Sequence, residues 1–139
     1  MSLKLVVLDT NILVSAGLRA GGREAEVLDL ILDDEIILLT CPEIISEYLE
    51  VLRRPKFRRF GFPPAWLDWL LLLSHHRTEN PPPWPIPGPD PDDLVFLALA
   101  HAMDATLISG NLKDYPEAIR RGTQVYNARE FLERYRDRG

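Results

Sequence analysis

Asp9, Glu47, Asp93 and the pair Asn111/Asp114 are the side chains of this 139-residue chain whose types and placement could do chemistry. Asp9 closes the apolar run Leu5-Val6-Val7-Leu8. Glu47 sits beside the apolar face that Ile44, Ile45, Tyr48, Leu49, Val51 and Leu52 form at about 100° per residue. Asp92 and Asp93 fall in the first turn of an apolar helix, and Asn111 and Asp114 follow the run Thr106–Ile108. Each has an ordinary explanation by itself. A strand-end Asp accepts turn N–H groups, a helix-edge Glu is solvated, and acids in a first turn gain about 0.3–1 kcal/mol from the helix dipole. An Asn after Gly makes turns, and an Asp caps them. Gathered at one place, however, carboxylates repel strongly. Such a cluster is tolerable mainly where it holds a hard cation such as Mg²⁺ or Mn²⁺ through oxygen. Bound to phosphate oxygens, one or two such ions can orient a water and stabilise a phosphodiester transition state.

The elements that must gather them alternate between two periods. Leu3–Leu8 reads as a strand, its unbroken apolar run suiting burial on both faces of a parallel sheet. Ile12–Arg19 reads as a short helix broken at Gly21-Gly22, and Arg23–Asp33 as a second, with Ala25, Val27, Leu28, Ile31 and Leu32 at helical spacing. Ile36–Leu39 is the second strand. Thr40, Pro42 and Glu43 form a helix start, with Thr40 as cap, and that helix runs to about Arg53. Pro63-Pro64 opens a helix over Ala65–Leu73, and His75–Thr78 is a short third strand. Residues 80–91 hold seven prolines and form a stiff surface crossover. Asp90 caps the helix Pro91–Met103, Thr106–Ile108 is the fourth strand, and a helical turn falls between Lys113 and Arg121. Gln124–Tyr126 is the fifth strand, and Asn127 caps a last helix with Phe131, Leu132 and Tyr135 inward. Strands alternating with helices predict an α/β fold with a mainly parallel sheet of about five strands. In such sheets ligands bind beyond the carboxyl ends of the strands, where Asp9 and Asn111 stand.

Composition bounds the function. The length suits one domain, and 46% apolar with 27% charged residues is a globular mixture. No apolar run approaches the roughly 20 residues of a membrane span. The start lacks a signal-peptide layout, and a single cysteine, Cys41, allows no internal disulfide, so a cytoplasmic setting is expected. A net charge of −5 argues against a protein that coats nucleic acid, but not against a nuclease built on an acidic metal site. The one basic stretch, Arg53-Arg54-Pro55-Lys56-Phe57-Arg58-Arg59, could steer single-stranded nucleic acid with Arg53, Arg54, Lys56, Arg58 and Arg59 and stack it on the embedded ring, or could simply be a solvated connection. Trp66 and Trp69 read as core or a dimer face. His75, His76 and His101 have no ligand spacing with Cys41 and read as non-catalytic, and Cys41 reads as a small core residue.

At this point the chain resembles PIN-domain proteins. The resemblance runs through Leu5-Val6-Val7-Leu8-Asp9-Thr10-Asn11-Ile12-Leu13-Val14-Ser15, then Glu43 to Leu52 with Ser46-Glu47-Tyr48, Arg54-Pro55-Lys56-Phe57, Asp90-Pro91-Asp92-Asp93 to Ala100, Ser109-Gly110-Asn111-Leu112-Lys113-Asp114-Tyr115 and Arg129-Glu130-Phe131-Leu132. It covers nearly the whole chain in order and spacing, and is nearest to the bacterial and archaeal VapC-like toxins of type II toxin–antitoxin pairs. It implies a three-layer α/β/α sandwich, one PIN domain over residues 1–139, and a Mg²⁺- or Mn²⁺-dependent endoribonuclease acting on single-stranded or structured RNA. It assigns Asp9, Glu47, Asp93 and Asp114 to catalysis and Asp9, Glu47, Asp93 and Asn111 to the metal. Asp93 is preferred to Asp92 because Phe96-Leu97-Ala98 follow at the family's spacing. Thr10, Asn11 and Ser109 are supporting residues. A homodimer and an antitoxin partner are implied as well.

Two other chemistries are excluded. An aspartyl-phosphatase needs a second Asp two residues after the first, and position 11 is Asn. A dinucleotide site needs a glycine-rich turn after the first strand. The alternative that stands is a PIN-fold nucleic-acid-binding or regulatory module with weak catalysis, favoured by the uncharged Asn111.

Overall fold

The computed structural model describes residues 3–138. Five strands form one sheet: β1 (Leu5–Leu8), β2 (Ile37–Thr40), β3 (His75–His76), β4 (Thr106–Ile108) and β5 (Val125–Tyr126). Their order is β3-β2-β1-β4-β5 and every pairing is parallel. Val6, Val7 and Leu8 are all 0% exposed, and so are Thr106, Leu107 and Ile108. Successive strand residues point to opposite faces, so full burial of consecutive residues means both faces are covered. The fold is thus α/β with helices on either side of a parallel sheet.

Six α-helices do the covering: α1 (Thr10–Leu18), α2 (Arg23–Leu32), α3 (Pro42–Leu52), α4 (Trp66–Leu73), α5 (Leu94–Ala102) and α6 (Ala128–Asp137). Helix α5 packs on β1 and β4 and buries Phe96 through Ala100 without a break. Helix α6 is entered through a capping box, in which Asn127 accepts from the Glu130 N–H and Glu130 accepts from the Asn127 N–H. Most expected boundaries fall within two residues of the observed ones.

The departures have local causes. Helix α1 begins at Thr10, two residues early, because Asp9 itself takes the N-cap position. Cys41, not Thr40, is the N-cap of α3, since Thr40 is the last residue of β2 and its hydroxyl bonds His76. The helix expected from Pro91 is split: Pro91–Asp93 is a 3₁₀ turn and α5 starts at Leu94. Tight 3₁₀ turns are frequent at helix starts, and here Asp90 closes one by accepting the Asp92 N–H at 3.0 Å.

The strand order defines a switch point. The chain leaves β1 toward β2 on one side, and β4 returns on the other. The crevice between the carboxyl ends of β1 and β4 is where this class of sheet binds ligands. Asp9 and Ser109, the residues immediately after those strands, stand there.

Candidate metal centre

The site starts from the paired ends of β1 and β4. The Asp9 N–H reaches the Ile108 carbonyl at 3.0 Å, extending the ladder by one rung. Asn11 straps the two loops together: its Oδ1 accepts from the Gly110 N–H at 2.7 Å and its Nδ2 lies 3.4 Å from Ser109 Oγ. Gly110 permits this approach, since a Cβ there would stand 3.2 Å from Asn11 Oδ1. The supporting positions Asn11 and Ser109 are therefore brought together.

Asp9 is the most enclosed acid, 4% exposed. Its Oδ2 accepts from the Tyr115 hydroxyl at 2.7 Å and from Ser109 Oγ at 3.0 Å. Burial raises its pKa, and the two hydroxyl donors oppose that rise by stabilising the charged form. Tyr115 is fully buried, and burial together with the Asp9 charge pushes its phenol up, so it stays a donor.

Glu47 arrives on α3. That helix is tied to β1 by Tyr48, whose buried hydroxyl donates to the Leu8 carbonyl at 2.6 Å. One residue earlier, Glu47 accepts a hydrogen bond from Thr10 Oγ1. Half-burial raises the Glu47 pKa, the Thr10 donor lowers it, and the Asp9 charge raises it further. The two carboxylates thus feel each other across the switch point.

The tightest acidic group is Asp90, Asp93 and Asp114, all half-buried, whose carboxylate oxygens come within 4.8 Å of one another. Burial, the Asp9 charge, a hydrogen bond with Asp114 and the Asp90 charge push Asp93 up to about 8. Asp9 also interacts electrostatically with Asp114. Asn111 is turned onto this group: its Nδ2 donates to Asp114 Oδ2 at 3.0 Å. Its amide nitrogen holds Asp114 in place, and the charge at this corner comes from Asp114. Asp92 is not part of that group of three; it lines an open cleft of about 560 Å³ with Glu43, Glu47 and Glu50, and its charge acts on Glu47.

Two residues join the site that the sequence does not assign to it. Asp90 reads from sequence as a helix cap; it caps the turn and joins the acids as well. A signal existed: residues three apart at a helix start are neighbours, so a capping Asp90 can come beside Asp93. Tyr115 had no such signal, because only the packed fold brings its hydroxyl across to a residue 106 positions away.

The basic segment forms a 3₁₀ turn, Pro55–Phe60. Arg53, Arg54, Lys56, Arg58 and Arg59 are all exposed. Arg54 meets Glu50 at 3.4 Å, Lys56 lies 5.1 Å over the Phe57 ring, and Arg59 lies 4.7 Å over the Phe60 ring. Phe57 stacks on Phe62 at 5.1 Å and belongs to the packing, whereas Phe60 is exposed. Trp66 packs against the core and Trp69 is 63% exposed. Cys41 is buried, His101 is held by Thr123 at 3.1 Å, and His76 lies against Thr40 and the Leu71 carbonyl.

An all-oxygen donor set of three converging carboxylates fits a hard divalent cation and suits a soft one poorly. Asp9 acts electrostatically on Asp93 and on Glu47, but neither Asp9 nor Glu47 belongs to that converging group of three. No helix among the described residues is long and apolar enough to cross a membrane.

Comparison with known proteins agrees with this architecture. A family model described as "PIN domain" matches residues 5–113. An uncharacterized protein of Methanocaldococcus jannaschii, MJ1680, is 29% identical over 140 residues, covering 94% of this chain and 90% of that protein. The crystal structure of VapBC2 from Rickettsia felis, bound to a DNA fragment from their promoter, contains a chain that superposes with a TM-score of 0.61. That superposition covers 88% of this chain and 98% of the other, at 19% identity.

Proposed function

Because the chain belongs to the PIN-domain family, we propose that it is a divalent-metal-dependent endoribonuclease, a single PIN domain over 1–139, and the toxin of a toxin–antitoxin pair. The observation that supports this reading best is the convergence of Asp90, Asp93 and Asp114 beside the buried Asp9 at the β1/β4 switch point. A group in which burial and neighbouring acids push one carboxyl, Asp93, up to about 8 is a poor structural device, since it opposes its own ionisation. It is well suited to capturing Mg²⁺ or Mn²⁺.

In this reading Asp93 and Asp114 hold the ion with Asp9 and Glu47, and Asp90 adds a carboxylate. Bound there, the ion would polarise phosphodiester oxygens and lower the pKa of a water. Thr10 orients Glu47, Asn11 and Ser109 fix the loop ends, and Asn111 orients Asp114. Arg53, Arg54, Lys56, Arg58 and Arg59 supply positive charge for an RNA strand that the acids alone would repel. The VapC-like resemblance and the shared fold with a chain of VapBC2 support an antitoxin partner, and the exposed Trp69, Leu72 and Leu73 of α4 support a homodimer.

The test is cleavage of end-labelled single-stranded RNA in Mn²⁺ or Mg²⁺. The native chain should cut it, excess chelator should stop the reaction, and Asp9→Asn, purified identically, should lower the rate at least a hundredfold. RNA bound without metal-dependent cutting would instead favour a binding or regulatory module.

A further inference from the structure

Tyr115 has no part in the roles proposed above, yet its hydroxyl lies on the most enclosed acid of the site. An ionised carboxylate has about four lone-pair sites, two on each oxygen. On Asp9 both sites of Oδ2 are taken, by Tyr115 at 2.7 Å and by Ser109 at 3.0 Å. Among the described residues Oδ1 receives the Asn11 N–H alone, at a long 3.4 Å. One oxygen is committed to the protein, and the other retains its capacity for a cation.

The donor is firmly held. The Tyr115 side chain is enclosed, its carbonyl accepts from Arg120 Nε at 2.7 Å, and its N–H bonds the Leu112 carbonyl at 3.1 Å. The hydroxyl also lies 3.5 Å from the Asp93 carbonyl oxygen, and the residue directly follows Asp114 in the chain. The hydroxyl therefore lies between the Asp9 carboxylate and the Asp93 backbone. Filling the core needs only a ring, which Phe would supply. The hydroxyl, aimed at a carboxylate in a water-poor pocket, needs a separate reason.

We propose that Tyr115 is a positioning residue for metal binding: with Ser109, its hydroxyl holds Asp9 Oδ2 so that Asp9 offers a divalent cation Oδ1 alone. The proposal rests on the metal-nuclease reading above. Partners that orient a metal ligand from behind typically change affinity 10- to 100-fold when removed.

Mn²⁺ titration calorimetry on the full chain tests it, with a thermal melt of each variant. Tyr115→Phe should bind Mn²⁺ about tenfold more weakly than the native chain while keeping a cooperative melt. Tyr135→Phe is the control. Tyr135 is also a buried tyrosine, but its hydroxyl has no hydrogen-bond partner among the described residues, so Mn²⁺ affinity should stay at the native value. Native affinity in a folded Tyr115→Phe overturns the proposal and leaves the metal reading intact, as does an equal loss in Tyr135→Phe. No Mn²⁺ binding by the native chain overturns both. Should Tyr115→Phe fail to fold, Ser109→Ala carries the test by removing the other donor to Oδ2: weakened binding supports the proposal, and native affinity overturns it.

Discussion

Burial and three neighbouring acids push the Asp93 carboxyl up to about 8 from its ordinary 3.8. The folded chain then keeps a proton that the unfolded chain loses near pH 4. A group whose pKa is raised by folding contributes stability that is complete below the unfolded value and is lost as pH climbs through the folded one. In chelator, the melting temperature should therefore fall from about pH 4 to about pH 8, with Asp9, Asp90 and Asp114 as the charges that oppose Asp93. A cation must displace that proton, so Mn²⁺ should bind more tightly, and raise the melting temperature more, at the alkaline end of the window. Asp93→Asn should flatten the pH dependence in chelator; a slope equal to native would show that Asp93 is not its source. At this scale Asn111 changes meaning as well. As a ligand it would be a weak substitute for an acid, whereas its amide nitrogen on Asp114 makes it the holder of the acid three residues on.

Helix α3 brings Glu47 to the site only if its register against β1 is kept. Tyr48 fixes that register through one buried hydrogen bond to the Leu8 carbonyl, and its ring stacks 6.4 Å from Phe96 of α5. Tyr48→Phe keeps the ring and removes the tie. It should cost about 1 kcal/mol or somewhat more, as expected for a buried donor lost to a backbone acceptor. Urea unfolding should show a lower midpoint at an unchanged m-value. The 3₁₀ turn Pro91–Asp93 shows the same dependence of chemistry on local geometry. Asp90 caps that turn through the Asp92 N–H and in the same position comes beside Asp93 and Asp114.

Over the whole molecule, charge is distributed against the net. The chain carries −5, yet five cations stand exposed within residues 53–59. On the proposed function, an RNA strand crossing the acidic site would need such a counterweight, and its contribution is read in salt dependence. Each phosphate contact on a single strand adds a slope of about −0.7 to log K against log salt. Removing two of them, Arg58→Ala with Arg59→Ala, should weaken RNA binding at low salt and reduce the slope by about 1.4, with Mn²⁺ affinity unchanged. Filter binding of single-stranded RNA to the native chain and the double variant, over a salt series, decides it. An unchanged slope would make this turn a solvated connection.

Periodicity and punctuation were enough to read the α/β alternation. The apolar runs at Leu5–Leu8 and Thr106–Ile108 announce buried parallel strands, Gly21-Gly22 and the prolines of 80–91 mark the breaks, and Asn127 with Glu130 signals the last helix. Those signals are local, because hydrophobic period and capping act within a few residues. Asp9 at the end of β1 and Asp93 at the entrance to α5 were legible for the same reason, with family spacing adding Glu47. Strand order was not legible: β4 lies beside β1 through pairings about a hundred residues apart, and no local pattern encodes that neighbour. The membership of the acid cluster follows from that order and from a tightened turn, which together bring Asp90 in beside Asp93 and Asp114. The Tyr115 hydroxyl on Asp9 follows from it too, since a hydrogen bond between distant residues exists only once packing has placed donor and acceptor within 3 Å.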